Sequence, residues 1–355
     1  MRQDSGYHAS ACPLMACRSR TRSTPWKCQR GEVSLRVLVT GGAGFIGSHL
    51  CARLLSEGHA VICADNFLSG SRRNIASLLS HTRFVLLEQD VIEPFDFHAE
   101  AIFHLASPAS PVGYMQHPFE TILVNSLGTY RLLDAARRLG ARFLLASTSE
   151  VYGDPLVHPQ REDYWGNVNP NGPRACYDEG KRLAETITTE FHRQYQVDTR
   201  IVRIFNTYGP HSRWADGRMI PNFIEQALAG KPLTIYGSGQ QTRSLCYVTD
   251  LVDGLMRAMF MPDTTGEIFN LGNPEEHTVA EYAQLIMNLC GIHTPPVYLA
   301  AREDDPARRR PDISKARRVL GWQPKVNLHD GLEQTIQWFR AQHHAHQAHM
   351  PLTTS

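Results

Sequence analysis

No stretch of the chain approaches the ~20 consecutive apolar residues of a membrane helix, which argues against a helical membrane protein. Neither sign of charge is in excess. The 36 Lys and Arg face 35 Asp and Glu, so no global field draws the protein to nucleic acid or an anionic membrane. That balance leaves a local phosphate site open. None of the eight cysteines stands in a C-x-x-C pair, and their spacings fit neither a zinc site nor a disulfide framework. Free, mostly buried thiols in a reducing compartment, the cytoplasm, are expected, with no metal. There are no internal repeats. Residues 1–34 lack the apolar core of a signal peptide. They read as a disordered extension or as the product of an upstream start codon, and stand apart from the fold.

What is present is an ordinary globular balance, with length enough for one large or two smaller domains. Leu35 to Thr40 is a short β-branched run ending in glycines, which predicts a buried strand. A helical pattern from Ile46 to Glu57 follows, with Leu50, Leu54 and Leu55 on one face and Gly58 as its stop. Further strands are expected at 60–65, 83–87, 101–105, 143–147 and 199–204, and helices at 121–139 and 178–195. Strands alternating with amphipathic helices predict an α/β fold, a Rossmann-type doubly wound parallel sheet covered on both faces. Beyond Gly209 the elements shorten between many Gly and Pro. A dinucleotide-binding domain is therefore expected over 35–205, with a return segment near 244–273. A smaller C-terminal substrate domain is expected over 206–340, then a polar, His-rich, solvated tail over 341–355.

The first strand leads into Gly41-Gly42-Ala43-Gly44-Phe45-Ile46-Gly47, with Gly41, Gly44 and Gly47 recurring every three residues. Such glycines permit a tight turn, close approach of backbone to a pyrophosphate, and close helix–sheet packing, while the helix start offers free N–H groups. Asp65 ends the second strand, where a carboxylate can accept both ribose hydroxyls of adenosine and repels a 2′-phosphate. NAD is therefore favoured over NADP. A turn-capping role for Asp65 with Asn66 is the plainer alternative. Arg72 and Arg73 are nearby cations that fit a solvated loop better than a 2′-phosphate. Asp90 and Val91, after the third strand, are candidates to meet the adenine.

Tyr177 and Lys181 are spaced by one helical turn, so both project from one face of the same helix. An ammonium beside a phenol favours phenolate and lowers its pKa, and the Lys can also bond the nicotinamide ribose. Thr148, Ser149 and Glu150 follow an apolar strand, at the carboxyl edge where open α/β sheets bind ligands. Thr148 can bond a substrate oxygen and Glu150 offers a carboxylate. A turn cap is the plainer reading of Thr148 and Ser149. Together the group describes hydride transfer on a secondary alcohol.

Long strings carry a resemblance over roughly residues 35 to 340. They are His104 to Pro111, Ser147 to Pro155, Asn169 to Arg182, Arg203 to Pro210, Tyr236 to Gly239 and Arg309 to Ile313. The chain resembles the extended short-chain dehydrogenases/reductases and, within them, the UDP-glucuronate decarboxylase family. The resemblance implies that NAD oxidises C4 of the glucuronate, with Tyr177 as base and Lys181 and Thr148 supporting. Carbon dioxide is then lost from the 4-keto acid, and hydride returns to C4 to give UDP-xylose. Glu150 is implied to shape the sugar's position and proton handling, and Arg309 to lie near the carboxylate. Leu105 and Ser107 are implied in the cofactor wall, Tyr114 and Ser149 beside the sugar, and Asn206, Tyr236 and Arg243 around the UDP.

The resemblance also separates rival chemistries. Related 4,6-dehydratases place Asp directly before the Glu of the strand-end motif, where this chain has Ser149, and related 4-epimerases lack the Glu. A non-catalytic dinucleotide-binding protein would be expected to lose Tyr177 or Lys181, and both are intact. Many relatives carry Lys where this chain has Leu123, which is expected to remove a possible cation from the sugar-acid region. A homodimer is implied, packed through helices near 121–139 and 178–195.

Overall fold

The computed structural model describes residues 34–301 and 308–348, with side chains through His343. Its strands, in chain order, are β1 (Arg36–Thr40), β2 (Ala60–Asp65), β3 (Phe84–Glu88), β4 (Ala101–His104), β5 (Arg142–Thr148), β6 (Thr199–Ile204), β7 (Thr207–Tyr208), β8 (Thr234–Tyr236), β9 (Thr242–Ser244), β10 (Cys246–Tyr247), β11 (Ile268–Leu271), β12 (Glu276–Thr278), β13 (Val297–Leu299) and β14 (Arg308–Arg309). The helices are α1 (Phe45–Ser56), α2 (Pro111–Gln116), α3 (Pro118–Leu123), α4 (Thr129–Leu139), α5 (Ala175–Tyr195), α6 (Met219–Leu228), α7 (Val248–Phe260), α8 (Val279–Cys290), α9 (Ser314–Leu320) and α10 (Leu328–Ala348). The extension expected over 1–34 lies, but for Ser34, outside the described residues.

The period of two in the strands explains why both faces of the main sheet are covered. In β1, Val37 and Val39 join one core and Leu38 the other. Phe103 and Ile102 of β4 divide the same way, as do Leu144 and its neighbours Phe143 and Leu145 of β5. With apolar side chains on both sides, the sheet has to be sandwiched. Helices α1 and α7 supply the first cover, and α4 and α5 the second. The seven strands run parallel in the order β11-β6-β5-β4-β1-β2-β3, a Rossmann-type doubly wound fold. Chain order reverses between β1 and β4, and the loops leaving their carboxyl ends open a crevice there. Beyond β6, short strand pairs and α6, α8 and α10 build a second layer above that edge, while β11 returns to the sheet beside β6.

Two expected elements differ. The helix read at 121–139 begins earlier, at Pro118, and is interrupted by a π-helical turn at Val124–Gly128. Asn125 lies in that turn, and its amide donates to the Thr121 carbonyl at 2.8 Å and to Ser107 Oγ at 3.0 Å. An extra residue in a helix often marks a site that needs a side chain re-aimed. The tail expected to be solvated from Gln342 onward is helical as far as Ala348. Phe339 is fully buried against Trp214, and His343 packs near the same ring.

One buried network locks the catalytic strand end to its surroundings. Glu185 on α5 accepts from Ser147 Oγ of β5 at 2.5 Å and from Arg203 of β6 at 2.8 and 2.9 Å. Arg203 also donates to Tyr152 Oη, which donates to Asn270 Oδ1 of β11. Glu185→Ala strands the Arg203 charge in the interior, and a loss of about 3 kcal/mol or more in unfolding free energy is expected. Urea denaturation measures it. A change below about 1 kcal/mol would mean the pair behaves like an exposed one.

Candidate active site

The crevice is a cavity of about 1120 Å³, walled by the carboxyl ends of the main sheet below and the second layer above. Every site residue expected from the sequence lies on its wall. The cofactor candidates line one end, from Gly41, Gly44, Phe45, Ile46 and Gly47 to Asp65, Asn66, Asp90 and Val91. Leu105 and Ser107 continue that wall toward Tyr114, Thr148, Ser149, Glu150, Tyr177 and Lys181. Asn206, Tyr236, Arg243 and Arg309 line the opposite part.

The glycine loop is built for a close ligand. Gly41 has φ +70°, and a Cβ there would meet the Ala106 amide nitrogen at 2.8 Å, so only glycine fits. A Cβ on Gly47 would run into the Gly41 carbonyl oxygen, so α1 starts against the strand end only without one. The buried Asp65 carboxylate accepts from Ala43 N at 2.9 Å and Phe67 N at 2.8 Å. It thus fixes the loop and the turn together, and burial raises its pKa despite those bonds. The capping reading is partly right, since Asp65 organises the turn, yet it also faces the cavity. Asn66 bonds Asp90 at 2.8 Å, joining the ends of β2 and β3. Arg72 pairs with Glu88 and lies over Phe67, while Arg73 donates to Gln342 at 2.9 Å. Both cations have partners within the chain. These features suit an adenosine ribose without a 2′-phosphate, so the residues present fit NAD.

The reactive end is crowded and dry. Tyr177 Oη is hydrogen-bonded with Thr148, and its ring stacks on Tyr114 with centroids 5.1 Å apart and planes 7° from parallel. The Tyr114 hydroxyl is buried without a hydrogen-bond partner. Burial pushes the Tyr177 phenol up, outweighing the Thr148 bond and the Arg218 charge. The expectation that Lys181 lowers that pKa is not met in this geometry. The Lys181 ammonium donates to the Ala146 carbonyl at 2.9 Å and lies 6.0 Å from the Tyr177 ring centre. Burial lowers its own pKa to about 7 against the pull of Glu185.

Glu150 holds the cluster's central charge. Arg309 reaches it with two nitrogens, one at 2.8 Å, and Arg174 with a third at 2.5 Å. Burial alone would raise the Glu150 carboxyl, but the charges of Arg309 and Arg174 overcome it and hold it below its ordinary value. Next to Tyr177, buried Asp178 is pushed up to about 7 by burial and by the Glu150 charge. Strand pairing explains the second cation row: Arg309 of β14 is the register partner of Arg243 on β9, so two buried guanidinium residues stand side by side. Arg309 is engaged by Glu150, which leaves Arg243 as the member suited to a diphosphate.

The sequence reading missed Arg174 and Arg218, both on the cavity wall. Arg174 had a signal, one turn before Tyr177. Arg218 had none, being placed by the loop before α6. Leu123 needs a correction. It is 41% exposed and faces out with Phe119, Ile122, Leu127 and Tyr130, away from the cavity wall. A Lys at that position of this backbone would not start from the sugar end, and the cations there come from Arg174 and Arg309.

Fold and site together define a nicotinamide-dependent enzyme that works on an alcohol carbon of a diphosphate-bearing substrate. Residues 37–272 match the model of the NAD dependent epimerase/dehydratase family, and the chain belongs to that family. It is 52% identical over 318 residues to UDP-glucuronic acid decarboxylase 1 of Danio rerio, covering 89% of this chain and 76% of that one. Against UDP-glucuronic acid decarboxylase 6 of Arabidopsis thaliana the identity is 53% over 310 residues, covering 87% and 90%. Among solved structures, the UDP-glucuronic acid 4-epimerase of Bacillus cereus, in complex with UDP-glucuronic acid and NAD, superposes with a TM-score of 0.78. It is 30% identical, and the match covers 86% of this chain and 99% of that one.

The depressed Lys181 pKa has a consequence for stability. Between pH about 7 and the ordinary 10.5, the unfolded chain binds a proton at this site that the folded protein does not. Cofactor-free protein should therefore gain stability from Lys181 as pH rises through that window, and lose it as pH falls through 7. Melting temperatures of wild type and Lys181→Met, compared from pH 6 to about 9.5, should differ most in favour of the variant at low pH, with that advantage shrinking as pH rises. Parallel curves would show that Lys181 titrates normally.

Proposed function

We propose that this protein decarboxylates UDP-glucuronate to UDP-xylose, with NAD reduced and reoxidised within one turnover. The observation that carries this is the Glu150–Arg174–Arg309 cluster set against the Tyr177–Thr148 pair. An alcohol-oxidising group thereby sits beside guanidiniums able to receive a carboxylate, and close relatives bear the decarboxylase name.

Gly41, Gly44, Gly47 and Asp65 would hold the dinucleotide, which, when bound, supplies the hydride acceptor and donor for C4 of the sugar. Arg243 would meet the diphosphate, with Asn206 and Tyr236 around the nucleoside. Tyr177 takes the proton of the C4 hydroxyl while Thr148 holds that oxygen. The resulting 4-keto acid breaks its C5–C6 bond, and the electron pair moves onto the C4 oxygen held by Thr148 and Tyr177. Carbon dioxide departs and C5 takes a proton, with Glu150 in reach to handle it. Tyr177 returns its proton to the C4 oxygen as the alcohol re-forms. One proton is consumed per turnover.

A homodimer is part of the proposal. Phe119, Ile122, Leu123, Leu127, Tyr130 and Leu183 on α3 to α5 and the π turn are exposed together, more apolar surface than a monomer's helices need. Cytoplasmic residence is supported by the five described cysteines, all of them unbridged thiols.

UDP-glucuronate with NAD should give carbon dioxide and UDP-xylose with no lasting NADH, followed by mass spectrometry and absorbance at the nicotinamide band. Appearance of UDP-galacturonate without carbon dioxide would make it an epimerase. Tyr177→Phe should keep NAD through gel filtration and lose at least about a hundredfold in kcat. For the dimer, Ile122→Glu should halve the mass measured by light scattering at micromolar concentration. A wild-type monomer would end that part of the proposal.

A further inference from the structure

We infer that Arg174 is the specificity-determining residue for the substrate's carboxylate, and that Glu150 occupies the carboxylate's seat until the substrate displaces it. This deepens the functional reading above and rests on it.

The geometry starts from Tyr177. Catalysis at C4 requires that carbon's oxygen at Tyr177 and Thr148, and C6 is only two bonds from C4. The carboxylate must therefore come to rest within a few ångströms of the phenol. Arg174 lies one turn before Tyr177, and its backbone carbonyl accepts the Tyr177 amide at 3.0 Å, so the two move as one piece. Arg309 reaches the same place from β14. Both guanidiniums already hold a carboxylate, that of Glu150, two residues beyond Thr148. The Glu150 carboxylate is the chemical likeness of the group the substrate brings.

A second observation shows that the seat is not saturated. Arg309 is 95% buried by its 5% exposure, lies on the cavity wall, and its Nε has no hydrogen-bond partner. An arginine fork grips one carboxylate best with parallel N–H groups, and this one has an N–H to spare. A second carboxylate entering from the cavity would draw Arg174 to itself and loosen Glu150, which is then free to handle the proton at C5. A sugar without the acid, such as the xylose product or a glucose, brings nothing to compete, so Glu150 stays clamped. Acid and neutral sugars would thus see two different sites.

The test uses NAD-loaded Tyr177→Phe protein, so that no turnover disturbs binding, with UDP-glucuronate and UDP-xylose as paired probes in calorimetry. Adding Arg174→Ala should weaken UDP-glucuronate about tenfold or more while UDP-xylose shifts less than about threefold. Arg174→Lys, which keeps the charge without the fork, should fall between. Adding Glu150→Gln instead should leave UDP-glucuronate bound as tightly or tighter, since its competitor is gone. Equal weakening of both sugars by the Arg174 variants would reduce Arg174 to a structural role. Weaker acid binding in Glu150→Gln would overturn the displacement. If Arg174→Ala does not fold, retained UDP-xylose binding by Arg174→Lys keeps the comparison. A wild type that releases no carbon dioxide from UDP-glucuronate would defeat the functional reading separately, before any variant is made.

Discussion

A parallel sheet cannot leave a face to water, and that constraint organises the molecule. Each strand must be followed by a crossover back past the sheet, most often through a helix, so every strand starts at one edge and every carboxyl end reaches the other. Glycine loop, Asp65, Thr148 and the start of α5 are scattered across the chain, yet they meet because each follows a strand of the same sheet. The second layer then needs only to roof that edge. It does so with strand pairs whose register puts Arg243 beside Arg309, and with α10, whose Trp338 and Gln342 reach the cofactor end of the cavity.

Burial sets the electrostatic character of what gathers there. Desolvation raises Tyr177 and Asp178 and lowers Lys181, each toward its neutral form. Glu150 alone goes the other way, because two guanidiniums outweigh the same desolvation. Neighbouring groups driven in opposite directions are what acid–base chemistry at one carbon requires. The Tyr177 phenol is not primed as phenolate by this environment.

Much of this was legible in the sequence for a physical reason. Glycines that permit close approach, a carboxylate ending β2, and a Tyr and Lys one turn apart depend on local backbone geometry, and local geometry leaves a spacing. The order of β1 to β6 and of the helices at α1, α4 and α5 followed from hydrophobic period and glycine stops. What escaped was long-range. The Arg174–Glu150 and Arg309–Glu150 bonds join residues 24 and 159 apart, and no period marks them. Nor does any period announce that Leu123, at the end of α3, is exposed while Asn125, in the π turn that follows, donates to Ser107. Gln342 was read as tail because its neighbours are polar. Trp338 and Phe339, one turn earlier, are what dock the helix.

The cluster around Glu150 also links the proposed carboxylate exchange to each stage of the turnover. Exchanging one carboxylate for another on the same guanidiniums is close to balanced, because each buried charge keeps a partner throughout. Binding an acid sugar therefore need not be tight, and the discrimination against neutral sugars comes from what they leave undone. Loss of carbon dioxide then removes the displacing charge from the site. Two guanidiniums remain, and Glu150 is the nearest anion to refill them once its proton is spent. Its return reclaims the space beside C5 and restores the geometry seen here, so the same ion cluster that admits the substrate's carboxylate closes again over the neutral product.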